Sequence, residues 1–144
     1  MGSMIRGKPL VHGEATGEAL VSDKALSFWG GYDHNSGEIT DRRHPLSGVN
    51  AAEKILAIPA SRGSSTTTAV LLEAVRAGTA PSAIITTVPD TFFALASIVA
   101  LELYERCLPI VQIAAEDFMT LRSGDRLRIA EDGTITVDGA ESQS

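Results

Sequence analysis

Two hydrophobic periods alternate through the middle of the chain. Ile55, Leu56 and Ile58 form a short aliphatic run fitting a buried strand, and Pro59 closes it because proline has no N–H to give to a ladder. Val70, Leu71, Ala74 and Val75 then recur at three- and four-residue spacing, which predicts a helix starting near Ser65 or Thr66, with Gly78 as its stop. Ala83 to Thr87 is β-rich again. Pro89-Asp90-Thr91 opens a second helix with Asp90 as N-cap, where Phe92, Leu95, Val99 and Leu103 keep helical spacing. Phe93, Ala96, Ile98 and Ala100 make that segment apolar on most sides, as expected for a helix packed between layers. Ile110 to Ile113 follows Pro109 as a third strand. This βαβαβ order implies a parallel sheet with right-handed crossovers.

The flanks read differently. Ile5–Val11 and Glu18–Ser22 predict two strands around a glycine-punctuated turn that holds His12, expected at the surface. Leu26 to Trp29 is strand-like and runs into Gly30-Gly31. Turn chemistry fills Tyr32 to Gly37, Glu38 to Thr40 resumes as strand, and Asp41 to Pro45 is a polar loop. Ala114 to Leu121 suggests a short helix. Arg126 to Ile129 alternates like a half-exposed strand, and Asp132-Gly133 signals a hairpin into Thr134 to Val137. Met1-Gly2-Ser3 ahead of Met4 resembles a cloning remnant, residues 4–139 read as a single domain, and 140–144 as a tail. With β-rich ends around an α/β centre, the expected architecture is a compact three-layer β/β/α domain.

At 144 residues, one core of ordinary size is expected. The chain is 44% hydrophobic but holds only one Trp, two Tyr and four Phe, so aliphatic packing should dominate. A formal charge of −6 argues against nucleic acid or an anionic membrane as the main partner, because both need a positive field. The longest mostly apolar run, Phe92 to Leu101, is too short to span a bilayer, and no secretory pattern opens the chain. A single cysteine, Cys107, excludes an internal disulfide and argues against a self-held iron–sulfur cluster, which points to the cytoplasm. Its place after an apolar helical pattern suggests buried packing over reactivity.

Chemistry concentrates between the first central strand and its helix. Arg62-Gly63-Ser64-Ser65 precedes Thr66, Thr67 and Thr68, so free helix N–H groups and the positive dipole end would face Arg62 and the Ser64 hydroxyl, a ready anion site. The same residues also read simply as a helix cap and a solvated arginine. Asp33, His34, Asp41 and His44 are possible metal ligands, but their spacing matches no closed-site pattern and turns collect such residues. Phe28 reads as core, whereas Trp29 suits either core or an interface anchor.

Several stretches in order, Gly13 to Leu20, Leu26 to Asp33, Ser36-Gly37, His44 to Gly48, Arg62 to Ser65 and Gly78 to Pro81, resemble the small subunit of the aconitase X family from about Ile5 to Val137. The resemblance implies a swivelling β/β/α domain, working with a larger subunit that carries the rest of the active site and an iron or iron–sulfur centre, so that no cofactor is held in this chain. Family members are dehydratases of cis-3-hydroxy-L-proline in bacteria and of phosphomevalonate in archaea. The implied catalytic serine is Ser64, with Ser65 the near alternative, and Arg62, Gly63 and Ser65 fall to substrate binding. A hydroxyl acts as a base only where its alkoxide is stabilised, and a helix N-terminus beside Arg62 is such a setting. Ser61, Thr67 and Thr68 stand where the family usually has glycine, glycine and serine, His34 where proline is common and Ala96 where glycine is frequent. The expectation is the small subunit of a hydro-lyase acting on a hydroxy acid, first a hydroxyproline isomer and alternatively phosphomevalonate, inactive alone. A non-catalytic, anion-binding regulatory module is the contrasting reading. A phosphohistidine carrier is disfavoured, since His12, His34 and His44 all lie in predicted turns.

Overall fold

The computed structural model describes residues 2–28, 30–62 and 66–138. In chain order these form β1 (Gly2–Arg6), β2 (Lys8–Val11), β3 (Ala15–Val21), β4 (Ile55–Ala57), α1 (Thr66–Ala77), β5 (Ala83–Thr86), α2 (Thr91–Tyr104), β6 (Ile110–Gln112), α3 (Ala115–Phe118), β7 (Arg126–Ile129) and β8 (Thr134–Asp138). Gly2 and Ser3 join the sheet, opposite Asp138 and Val137.

The predicted βαβαβ unit is present. Strands β3, β4, β5 and β6 lie side by side and parallel, with Leu56 opposite Ile84 and Ile84 opposite Ile110. Alternation along these strands makes two cores, because successive side chains leave opposite faces of a sheet. Leu56, Ile58, Ile84 and Ile110 meet Leu71, Ala74 and Val75 of α1 and Phe93, Ala96 and Ala100 of α2. On the opposite face, Ile55, Ala57, Ala83, Ile85 and Val111 meet Ile5, Leu127, Ile129, Ile135 and Val137 from the antiparallel strands. Two β layers and one helical layer result.

The strand order β1-β8-β7-β3-β4-β5-β6-β2 puts β1 and β2 at opposite edges, yet Gly7 alone separates them in sequence. The sheet therefore curls until its edges meet at that residue. Gly7 N–H donates to the Gly133 carbonyl at 3.1 Å. A Cβ on Gly7 would collide with Val111 Cγ1 and sit 2.7 Å from the Gly133 oxygen, so only glycine lets the edges close. The stretch Ile5–Val11 is accordingly two strands and not the predicted one.

Between β3 and β4 the chain is irregular. The strands predicted at Leu26 to Trp29 and Glu38 to Thr40 reduce to isolated bridges, Leu26 with Ser61, Tyr32 with Ile39 and Glu38 with Asn50. Side-chain packing holds this excursion instead. Phe28 is fully buried, stacked on Tyr32 at 4.9 Å and edge-on to Phe93 at 5.4 Å. Trp29 lies outside the described residues.

Two expectations are corrected here. α2 is not enclosed between layers: Phe93, Ala96, Ser97 and Ala100 are buried, whereas Leu95, Ile98 and Leu101 are 52%, 52% and 51% exposed. The small residues face inward because they let α2 approach α1 and the sheet closely, with the Ser97 hydroxyl satisfied by the Leu108 carbonyl. Cys107 lies beyond the helix end and is exposed; partial desolvation, then the nearby Glu131, still push its thiol pKa up and so disfavour the thiolate.

Candidate functional site

The C-terminal ends of parallel strands are where α/β sheets gather ligands, since the connecting loops and helix N-termini converge there. Here β3 and β4 continue past their ladder side by side. Ser22 N–H donates to Ala57 O at 3.1 Å, and Arg62 N–H donates to Leu26 O at 2.9 Å. The segment after β3 and the loop after β4 are thereby one backbone layer.

Asp90 locks that layer to the helices. Its carboxylate caps α2 by accepting from Phe92 N–H (3.0 Å) and Phe93 N–H (3.1 Å) through one oxygen. The other oxygen accepts from Ser61 N–H and the Ser61 hydroxyl, each at 2.7 Å. Thr68 adds a bond from α1 to the Phe92 carbonyl at 3.1 Å, and Thr67 is buried. Ser61 and Thr68, both departures from the family pattern, thus have structural partners in this chain. The β4 loop is thereby fixed at Ser61, immediately before Arg62.

His44 locks the third wall. The Asp41 carboxylate accepts from Arg43 N–H at 3.0 Å and its carbonyl from His44 N–H at 3.0 Å, which folds residues 41–44 into a tight turn. The buried His44 ring accepts from Leu46 N–H at Nδ1, 3.1 Å, so the hydrogen-bond network assigns the proton to Nε2, which donates to the Lys24 carbonyl at 3.1 Å. That ring joins the polar loop to the segment leaving β3.

Together these loops enclose an open cleft of about 610 Å³ lined by Lys24, Ala25, Asp41, Arg43, His44 and Arg62. Arg62 is the member anticipated from sequence. Gly63, Ser64 and Ser65 lie outside the described residues. α1 begins at Thr66 as expected and has no acidic residue in its first turn, which leaves its positive dipole end without an opposing side-chain charge of its own. Lys24 and Arg43 were not anticipated as site residues. They stand 19 positions apart in irregular chain, with no period or motif to link them, and the His44 bond to the Lys24 carbonyl joins their loops.

The four candidate metal ligands do not converge. Asp33 accepts from Asn35 N–H and the Ser36 hydroxyl, bonds that lower its pKa, with the Asn35 backbone first. His34 offers its carbonyl to Thr79 Oγ1 at 2.7 Å, while Asp41 and His44 are engaged as above. Among the described residues no group of three or more His, Cys, Asp or Glu is placed to hold a metal ion. The resemblance assigns the iron or iron–sulfur centre to the larger subunit, outside this chain.

A β/β/α domain with a four-stranded parallel centre, a closing glycine and a loop-built cleft at the strand ends defines the class: a swivelling domain of the aconitase type. The chain belongs to the aconitase X swivel domain family, whose profile it matches over residues 4–137. Holo-form aconitase X from Thermococcus kodakaraensis superposes with a TM-score of 0.84 at 31% identity, covering 94% of this chain and 98% of the other. Among curated relatives, a cis-3-hydroxy-L-proline dehydratase of Pseudomonas aeruginosa is 45% identical over 98% of this chain and 25% of its own length. A phosphomevalonate dehydratase small subunit of Thermococcus onnurineus is 36% identical over 93% of this chain and 98% of its own. The chain spans about a quarter of the curated hydroxyproline dehydratases it matches. No helix among the described residues is long and apolar enough to cross a membrane.

Proposed function

We propose that this chain is the swivelling part of a dehydratase that removes water from a small hydroxy acid, with cis-3-hydroxy-L-proline as substrate. The observation that carries the reading is the 45% identity, over nearly the whole chain, to a protein named for that activity. The reaction removes the proton from the carbon bearing the carboxylate, expels hydroxide from the neighbouring carbon and leaves a double bond between them. Ser64 is the proton acceptor, and Arg62, Gly63 and Ser65 bind substrate. A larger aconitase X partner supplies the remaining active-site residues and the iron or iron–sulfur centre, and the assembly works in the cytoplasm. The buried Asp90 clamp on Ser61 supports the part given to Arg62, because it fixes the backbone immediately before that residue.

A second reading, phosphomevalonate as substrate, is favoured by the near-complete coverage of the archaeal small subunits.

The test is co-expression with the large-subunit candidate, purification on a tag carried by this chain, and assay of dehydration on hydroxyproline isomers and on phosphomevalonate. Turnover of a hydroxyproline is expected, with Ser64→Ala lowering kcat by about 100-fold or more while folding and assembly stay intact. Turnover unchanged in Ser64→Ala would reduce the serine to a helix cap. If no partner co-purifies and nothing turns over, the anion-binding regulatory module takes the place of the enzyme.

A further inference from the structure

Three cationic side chains line the cleft at the ends of β3 and β4, where they outnumber the acidic groups among the described residues. Lys24, Arg43 and Arg62 are exposed, and among the described residues Asp41 is the one acidic member of the lining. Among the described residues the ion pairs are Lys54 with Glu18 and Arg76 with Glu73, so none of the three cleft cations belongs to one. Asp41 directs Oδ1 at the Arg43 backbone and thereby shapes the loop. In a chain of net charge −6, three unpaired cations gathered in one concavity make a local positive field suited to an anion. Lys24 and Arg43 are also held together deliberately: the buried His44 bonds the Lys24 carbonyl and lies next to Arg43 in sequence.

We infer that Lys24, Arg43 and Arg62 form an oxyanion-binding site, with His44 as the positioning residue that holds two of its walls together. The ligand group is a carboxylate or a phosphate monoester, because guanidinium forks match both geometries and a lysine adds a point charge. The dehydratase reading enters only in naming the substrate as the source of that group. The site itself rests on the cleft and its unpaired cations.

Nitrogen-15 NMR of the 144-residue chain, titrated at constant ionic strength with inorganic phosphate, acetate and chloride, tests the inference without any need for turnover. Saturable shifts at the amides and side-chain N–H groups of Arg43 and Arg62 are expected, half-complete at about 10 mM or below. The Lys24→Met/Arg43→Met variant should weaken them about tenfold or more while leaving signals from both cores in place, since both side chains are solvent-exposed. Tighter phosphate than acetate identifies a phosphate ester as the source, and the reverse order a carboxylate. The site is overturned if shifts follow chloride equally, if the variant binds as well as the parent, or if polyglutamate binds where the small anions do not, which would mark an acidic protein surface as the occupant. Anion binding that survives alongside a failed turnover assay would sink the dehydratase reading and leave the site standing.

Discussion

Asp90 shows how one side chain can carry several jobs. Four donors converge on its carboxylate, two from α2 and two from Ser61. Asp90→Ala removes a helix cap and leaves buried donors unpaired, and should destabilise the fold by about 3 kcal/mol. A lowered urea midpoint with unchanged slope would report it; a loss below about 1 kcal/mol would mean that water replaces the carboxylate. Tyr32 makes a pH prediction. Burial raises its pKa above the ordinary value, and its hydroxyl donates to the Thr79 carbonyl at 2.7 Å. A folded-state pKa above the unfolded one gives stability that is complete below about pH 10 and is lost as pH rises from there. Tyr32→Phe should flatten that alkaline decline, which chemical denaturation between pH 8 and about pH 11 would resolve. An equally steep decline in the variant would assign the effect elsewhere.

At the scale of elements, α2 separates what pattern can tell from what it cannot. The helix and its cap were legible, because Pro89-Asp90-Thr91 precedes an apolar run in which no residue breaks a helix. Its buried face was not. Phe92, Leu95, Val99 and Leu103 outweigh Phe93, Ala96, Ser97 and Ala100 in hydrophobicity, yet close approach to α1 and the sheet selects the smaller set. Phe93→Ala should therefore cost about 3–5 kcal/mol, while Leu95→Ala stays within about 0.5 kcal/mol, and thermal unfolding of the two variants separates the faces. Comparable losses would mean that the exposed face is covered in solution. For the candidate site, the helix start and the place of Arg62 just ahead of it were readable from residue type and order. Lys24 and Arg43 were not, because loop-to-loop contacts made through a carbonyl, as between His44 and Lys24, leave no period in the sequence.

For the whole molecule, closure of the curled sheet is the governing event. β3 serves both the antiparallel and the parallel halves, pairing β7 on one side and β4 on the other, so each half completes a core that the other cannot fill alone. Gly7→Ala forces a methyl group against Val111 and the Gly133 carbonyl and should destabilise by about 1–3 kcal/mol. Its β1–β2 amides should also exchange faster with solvent than those of β4 and β5. Uniform acceleration across all strands would instead indicate one indivisible unfolding unit.

The pairing of Met4 with Thr136 puts the two ends of the family domain on adjacent strands, facing each other across one ladder position. A polypeptide can therefore enter and leave this unit at almost the same point in space. Such a domain is portable between genes: carried within a longer chain, as the match to a quarter of the hydroxyproline dehydratase indicates, or standing almost alone, as in the archaeal small subunits, it needs no rearrangement of its strands. It is also permutable, so linking Asp138 to Gly2 by a short flexible bridge and opening the exposed turn at Asn35-Ser36 should yield a folded protein with the same two cores.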